Sequence, residues 1–366
     1  MSIKYRDMSI FSLKPDPVIG IDISSTAVKL LELSRIGKGF QVESYAMEPL
    51  PERSVEDKNI IELESVGTAI EHVVNRAKPR TQYAALAVAG PTVITKVITM
   101  EGGLSDQDIK EQIEADPAQY LGQDSEDIDF DFQNLGYNEK EEERVDILLA
   151  ASRRETIEGR IAALELGGLK AKVVDIEKYV LENALIMVAQ NDKDIDDGDT
   201  IALIEVGATT CSLNVLGEKN GKPTIVFTHE EMFGGQQLTE EIQNRYDLSY
   251  EEANLAKRNN TLDPDYFHTI LEPFKDEMVQ QISRMVQYYY NQSNYGKLSH
   301  ILIAGGCASI DGIVDQVSNK VGGHVKTVDP FVSMSLAPGI NKTALEKDAP
   351  ALMLACGLAL RSFDEF

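Results

Sequence analysis

The strongest constraint on this 366-residue chain is an internal repeat. Ile21-Asp22-Ile23-Ser24-Ser25-Thr26-Ala27 and Ile204-Glu205-Val206-Gly207-Ala208-Thr209-Thr210 follow one pattern, 183 positions apart. Each is an apolar strand carrying one acid, then a turn of small or hydroxylic residues, then a second strand. The spacing is half the chain length, as expected of a duplicated architecture. Small side chains let turn N–H groups point into a shared cleft as a nest for phosphate oxygens. The acid at each strand end can hold magnesium through water. Two such turns, face to face, would grip one triphosphate from both sides.

The surrounding residues extend the repeat. The first copy reads as a meander of strands at Val18–Ile23, Val28–Leu33 and Phe40–Ala46. Residues 58–76 have helical apolar spacing, at Ile60, Ile61, Val66, Ile70, Val73 and Val74, and Tyr83–Ala89 is a further strand. From about Thr92 the character changes. A strand (Val93–Met100), an acidic helix (Asp106–Tyr120), alternating Ile128–Phe132, a strand (Val145–Ala150) and a helix (Arg153–Leu166) suggest an inserted subdomain. Gly167-Gly168 is a helix-ending signal, and Glu139–Glu143 reads as a solvated hairpin tip. A strand at Lys170–Val174 and a helix at Lys178–Ala189 lead to the second meander, Thr200–Val206, Cys211–Leu216 and Thr224–His229. Helices from Leu238, at Ser249–Arg258 and at Pro273–Asn291 precede a buried strand, Ser299–Ala304. Strands alternating with helices place the chain in the α/β class.

Charge narrows the partners. With 35 basic and 60 acidic residues the net charge is −25, which argues against nucleic acid and against a direct electrostatic grip on anionic lipid. Residues 105–143 hold 14 acids and 2 bases, about half of the excess. Cys211, Cys307 and Cys356 are isolated and odd in number, so a reduced, cytosolic chain is expected. The leading residues lack a signal-peptide apolar run, and the longest apolar stretch, near Ala349–Leu360, is too short to span a bilayer.

Other motifs fail on spacing. No GxGxxG follows a strand. Gly217–Pro223 has three residues between its glycines and Pro after Lys, so it is a hairpin turn, not a phosphate loop. Asp192–Asp199 misplaces the glycine and the twelfth-position acid of a calcium loop and reads as a polar loop.

At this point the residues resemble the actin-fold ATPase superfamily, which includes heat-shock chaperone ATPases, sugar kinases and the division protein FtsA. Four landmarks occur in order: Gly20–Lys29, Val174–Glu177, Glu205–Thr210 and Ile303–Gly312, with Phe233-Gly234-Gly235 and Ala253–Lys257 between the last two. Within the superfamily the chain is similar to the PilM family of type IV pilus assembly proteins. The likeness runs from Val18 to Ser362 and includes Ile21–Leu33, Val173–Glu177, Gln281–Gly306 and Cys356–Arg361.

The resemblance implies a duplicated actin- and heat-shock-chaperone-like fold with an FtsA/PilM-type (SHS2) insert. The first half would comprise residues 17–92, 168–199 and 341–366, the insert 93–167 and the second half 200–340. It implies ATP and magnesium as cofactors. Ser24, Ser25 and Thr26 with Gly207, Ala208, Thr209 and Thr210 would hold phosphates, and Asp22 and Glu205 would orient hydrated magnesium. Lys29 either leans toward the phosphates or is an ordinary strand lysine. Gly234, Gly235, Asn254, Lys257, Gly305, Gly306 and Ser309 would lie on the nucleoside side. Glu177 or Asp175 would position attacking water, unless both are acids of a helix start.

Ser24, Glu205, Asn254 and Cys307-Ala308 depart from the usual residues, which implies slow ATPase activity at most. The resemblance further implies a PilN-like inner-membrane partner, whose cytoplasmic N-terminal peptide would lie between the first subdomain and the acidic insert. The pilus motor ATPase is a further partner on this reading, and the membrane is reached only indirectly. An FtsA-like filament protein and a small-molecule kinase are the alternatives. The first usually carries a terminal basic membrane helix where this chain has Arg361–Phe366, and no catalytic Asp motif marks the second.

Overall fold

A computed structural model describes residues 2–3, 17–90, 93–122, 127–138, 140–219, 221–259 and 261–363. Most of the irregular leader, Thr92, Glu139, Asn220 and the acidic tail Asp364–Phe366 lie outside the described residues.

The chain begins with β1 (Ser2–Ile3), β2 (Ile19–Ile23), β3 (Ala27–Ile36), β4 (Gly39–Pro49) and a small hairpin, β5 (Val55–Glu56) with β6 (Asn59–Ile60). Then come α1 (Leu63–Ala77), β7 (Tyr83–Val88), β8 (Ile94–Glu101), α2 (Asp106–Ala115), α3 (Pro117–Leu121), β9 (Ile128–Tyr137) and β10 (Arg144–Arg153). Next are α4 (Arg154–Leu166), β11 (Lys170–Ile176), α5 (Glu177–Asn191), β12 (Ile201–Val206), β13 (Cys211–Lys219) and β14 (Lys222–Glu231). The remainder is α6 (Gly235–Tyr246), α7 (Tyr250–Asn259), α8 (Glu272–Gln292), β15 (His300–Ala304), α9 (Ile313–Val321), β16 (His324–Thr327), β17 (Ser335–Leu336), α10 (Lys342–Asp348) and α11 (Met353–Leu360).

The duplication is visible in strand order. One sheet runs β1-β11-β7-β2-β3-β4-β17 and another β14-β13-β12-β15-β16. In each, an antiparallel meander (β2-β3-β4 or β12-β13-β14) is extended on its first strand by parallel neighbours, β7 and β11 or β15 and β16. Register repeats as well. Asp22 stands opposite Lys29 and Glu205 opposite Ser212, both pairs offset by 183 positions.

Period-two alternation sorts β3 between two cores. Val28 and Leu30 join α1 in one cluster, whereas Leu31 and Leu33 face α5 and α11 in another. That second cluster also contains Leu203, Leu216 and Leu302, so α5 and α11 lie between the two large sheets. Each fully buried Leu or Ile contributes roughly 1.5–3 kcal/mol, which fastens the halves through these helices. Glu182 of α5 adds a polar tie, accepting hydrogen bonds from the Thr224 hydroxyl (2.6 Å) and the Ile225 N–H (2.5 Å) of β14.

The insert forms its own antiparallel sheet, β8-β10-β9, with Ile109, Ile113 and Leu121 of α2 and α3 packed on it. The helix α4 that follows buries Ile157, Ala163 and Leu164 against α1 in the first core instead.

Three expectations change. The helix expected over 106–120 is two helices, because Pro117 disfavours helical backbone at Asp116 and cannot donate an N–H. Asp116 instead caps α3, its carboxylate accepting the Gln119 N–H. The helix expected from residue 58 begins at Leu63, and Lys58 stands in the β5–β6 turn at φ 67°. The hairpin turn at Gly217–Pro223 is also tighter, since β13 runs to Lys219 and β14 starts at Lys222.

Candidate functional site

The two repeated turns face each other. β2 ends at Ile23, and the Ser24 N–H and hydroxyl both donate to the Ala27 carbonyl, at 3.0 and 2.8 Å. In the second turn the Gly207 N–H donates to the Thr210 carbonyl at 2.9 Å, the same bond 183 positions on. The N–H groups of Ser24 and Gly207 therefore close the turns. The tips, Ser25-Thr26 and Ala208-Thr209, are half-buried, and the Ser25 and Thr209 hydroxyls lie 3.4 Å apart.

Glycines let other backbone segments pack onto the second turn. The Gly235 N–H donates to the Gly207 carbonyl (2.9 Å) and the Gln236 N–H to the Ala208 carbonyl (2.8 Å). A Cβ on Gly234 would sit 2.4 Å from the Ala208 oxygen. Gly305 has φ 86°, and a Cβ there would sit 2.2 Å from the Val206 oxygen. These glycines build the turn's floor. Gly306 differs: it is exposed, and a Cβ there would meet nothing within 4 Å.

Charged side chains gather beside the turns. Lys29 donates to Asp22 at 2.8 Å, with both residues buried. Burial opposes the Lys29 ammonium, but the charge and hydrogen bond of Asp22, backed by Glu205 and Glu177, leave its pKa raised. From the β5–β6 turn, Lys58 donates to both oxygens of Glu177, the N-terminal residue of α5, at 3.1 and 3.2 Å. Its pKa is raised too, burial again being outweighed by Glu177 and Glu205.

Glu205 faces Ser212 where Asp22 faces Lys29. Burial and the neighbouring Glu177 charge push its carboxyl up to about 7, against the pull of Lys29 and Lys58. Below this group lies Arg160 of α4, donating to the Ile23 (3.4 Å) and Lys58 (2.8 Å) carbonyls. Burial lowers its pKa, while Glu177 and Asp22 act to raise it.

The other expected residues divide. Lys257 turns toward the buried Thr239 hydroxyl (2.6 Å), which also lies 3.5 Å from the Asn254 carbonyl oxygen. Burial lowers the Lys257 pKa. Ser309 donates to the Lys347 carbonyl at 3.2 Å, tying its turn to α10. Asp175 is not brought to the cluster: its carboxylate lies 3.1 Å from Arg361 and also accepts the Ile176 N–H at 2.7 Å. It anchors the C-terminal helix to β11 rather than lying beside Glu177.

Lys58 and Arg160 escaped sequence reasoning. Lys58 falls at the start of the 58–76 stretch expected to be helical, and no motif in the sequence includes Arg160. Only an unexpectedly basic residue on the apolar face of α4 could have flagged the second. Among the described residues no three or more His, Cys, Asp or Glu side chains are placed to hold a bare metal ion. The carboxylates of Asp22 and Glu205 suit a hydrated divalent cation better than a directly ligated one.

Comparison with known proteins agrees with this architecture. The family model for type IV pilus assembly protein PilM matches residues 20–363. A solved PilM–PilN type IV pilus biogenesis complex superposes with TM-score 0.74 at 22% identity, covering 95% of this chain and 99% of that one. The ethanolamine utilization protein EutJ from Carboxydothermus hydrogenoformans superposes with TM-score 0.51 at 14% identity, covering 95% and 91%. The fold is thus the actin-like ATPase fold. With the family match spanning nearly the whole described chain, this protein belongs to the PilM family of type IV pilus assembly proteins.

Proposed function

We propose that this chain is an ATP-binding scaffold of the type IV pilus machine that docks the cytoplasmic N-terminal peptide of a PilN-like inner-membrane protein. The approach of Ser25 to Thr209, from turns closed by the same hydrogen bond, carries the nucleotide part. On this reading the Ser25-Thr26 and Ala208-Thr209-Thr210 backbone donors hold phosphate oxygens. Asp22 and Glu205 orient the water shell of magnesium, which supplies charge neutralisation at the phosphates when bound. Gly306 leaves room for the nucleoside, with Asn254 and Lys257 at its side.

Hydrolysis is slow at most on this reading. Glu177, the residue placed to orient water, is held by Lys58, and Asp22 by Lys29. Each pair must loosen before its carboxylate can act, and a water or metal displaced by about an ångström costs roughly a hundredfold in rate.

The partner part rests on family membership and on the insert sheet standing beside the first half. Among the described residues no helix is long and apolar enough to cross a membrane, so contact with the inner membrane would come through the partner. The three-part division at residues 93–167 and 200–340 belongs to the same proposal. A thermal-shift series with ATP-magnesium, and with a synthetic peptide of the PilN N-terminus from the same organism, tests it. A ligand at ~100 times its dissociation constant should stabilise the chain by about 2.7 kcal/mol. No shift with either ligand would remove the proposal's basis.

A further inference from the structure

A buried arginine and a strained lysine meet beside the cleft. β5 and β6 pair Val55 with Ile60 and Glu56 with Asn59, so their turn is the two residues Asp57-Lys58. Both have positive φ, 46° and 67°. Such a turn favours glycine at its second position, and a lysine adopts it only against a backbone cost. Strained positions of this kind persist where neighbouring contacts fix them. Two contacts do so here. The Lys58 carbonyl accepts a hydrogen bond from Arg160 Nη2 at 2.8 Å, and the Lys58 ammonium donates to Glu177.

Arg160 reaches this turn from the insert's side. β10, the central strand of the insert sheet, ends at Arg153, and α4 starts at Arg154 with no loop between them. Ile157, Arg160 and Leu164 recur at helical spacing on the buried face of α4, and Ile157 and Leu164 pack into the first core. Arg160 Nη1 lies 3.4 Å from the Ile23 carbonyl, at the end of β2 between Asp22 and the first repeated turn. A neutral amide could satisfy either carbonyl at a smaller desolvation cost, whereas the planar guanidinium fork holds both at a fixed separation. We propose that Arg160 is a positioning residue of the cleft, setting the first repeated turn and the Lys58–Glu177 pair at the separation a bound triphosphate requires. The inference deepens the ATP-binding reading above and rests on it. Arg160 acts through two backbone carbonyls and contacts no phosphate in this role. It also gives the insert a hold on the cleft, because a shift of β10 carries α4 and Arg160 with it.

The test compares the full-length chain with its Arg160→Lys, Lys58→Met and doubly substituted variants. Lysine keeps the buried charge but holds one carbonyl at most. ATP-magnesium affinity is measured by calorimetry at a temperature where every chain is folded, and amide exchange is followed in the Ser24–Ala27 and β5–β6 turns. Arg160→Lys is expected to weaken ATP-magnesium about tenfold and to speed exchange in both turns together. The double variant should bind about tenfold more weakly than the unmodified chain, not the roughly hundredfold of two independent losses, because Arg160 acts largely by placing Lys58. Arg160→Gln gives the same readings should the lysine variant not fold. Unchanged affinity in a folded Arg160 variant overturns the inference, as does a fully multiplicative loss in the double variant. An unmodified chain that binds no ATP-magnesium overturns the ATP-binding reading. Joint loosening of the two turns then still sustains the positioning role, and loosening of one alone or of neither overturns it.

Discussion

The hydroxyl oxygens of Ser25 and Thr209 lie 3.4 Å apart, although 184 positions separate them in the chain. Each sits at the tip of a turn whose first N–H donates to the carbonyl three residues on. The two halves thus present matching turns to one narrow space. The matched halves differ at one point of consequence: Lys29 neutralises Asp22, whereas Ser212 leaves Glu205 without a cation of its own opposite it.

The Asp22–Lys29 pair is expected to behave as a buried ion pair. Asp22→Asn leaves a buried ammonium without its counter-charge and should destabilise the chain by about 3–5 kcal/mol in urea denaturation. Adding Lys29→Met should recover much of that loss. A double variant destabilised by the sum of the Asp22→Asn and Lys29→Met losses would show that the two residues act independently.

Glu205 is expected to give stability an acid-side component. Its carboxyl is raised from 4.5 to about 7, so the stability it contributes is complete below pH 4.5 and lost as pH rises through 7. Relative to Glu205→Gln, the unmodified chain should lose on the order of 2 kcal/mol of unfolding free energy between about pH 5 and pH 8. ATP-magnesium affinity should change oppositely, rising over that range as the carboxylate ionises. Parallel unfolding and calorimetric titrations at four pH values check both trends.

Lys58 and Glu177 are expected to separate binding from turnover. On the proposed ATP-binding reading, Glu177→Gln would remove a negative charge beside the phosphates and release Lys58, so ATP should bind about tenfold tighter, or 1.4 kcal/mol, with any hydrolysis lost. Lys58→Met should weaken binding by a similar factor. Filter binding and single-turnover assays distinguish these results from a merely structural role, under which both variants would change stability alone.

Neighbouring glycines should respond in opposite ways. Gly305→Ala forces a Cβ against the Val206 carbonyl at positive φ and should cost about 1–3 kcal/mol. Gly306→Ala meets open space and should change unfolding by less than about 0.5 kcal/mol, while reducing nucleotide affinity. Thermal melts with and without ATP-magnesium compare the two.

Much of the fold is local enough to read. The meanders at β2-β3-β4 and β12-β13-β14 follow from alternation and turn residues, and the repeated acid-plus-turn pattern marked both halves. Helix boundaries were less legible where one residue overrode a long apolar pattern, as Pro117 did for α2 and α3. Lys58 was hidden because Ile60 and Ile61 continue the apolar spacing of α1 backwards through a turn.

The amino-acid sequence by itself determined the duplication, the α/β class, the insert and its acidity, and the two turns with Asp22 and Glu205 at their strand ends. Those properties depend on side-chain period and small-residue turns, which act between near neighbours. Only the tertiary structure decided that Ser25 meets Thr209, that Asp175 is committed to Arg361 while Glu177 takes Lys58, and that Arg160 of α4 holds the Ile23 and Lys58 carbonyls. It also decided that Ser2–Ile3 closes the edge of β11. These pairings join residues far apart in the chain. The packing of α5 and α11 between the sheets, together with the burial that makes each unpaired charge costly, selects which partners meet.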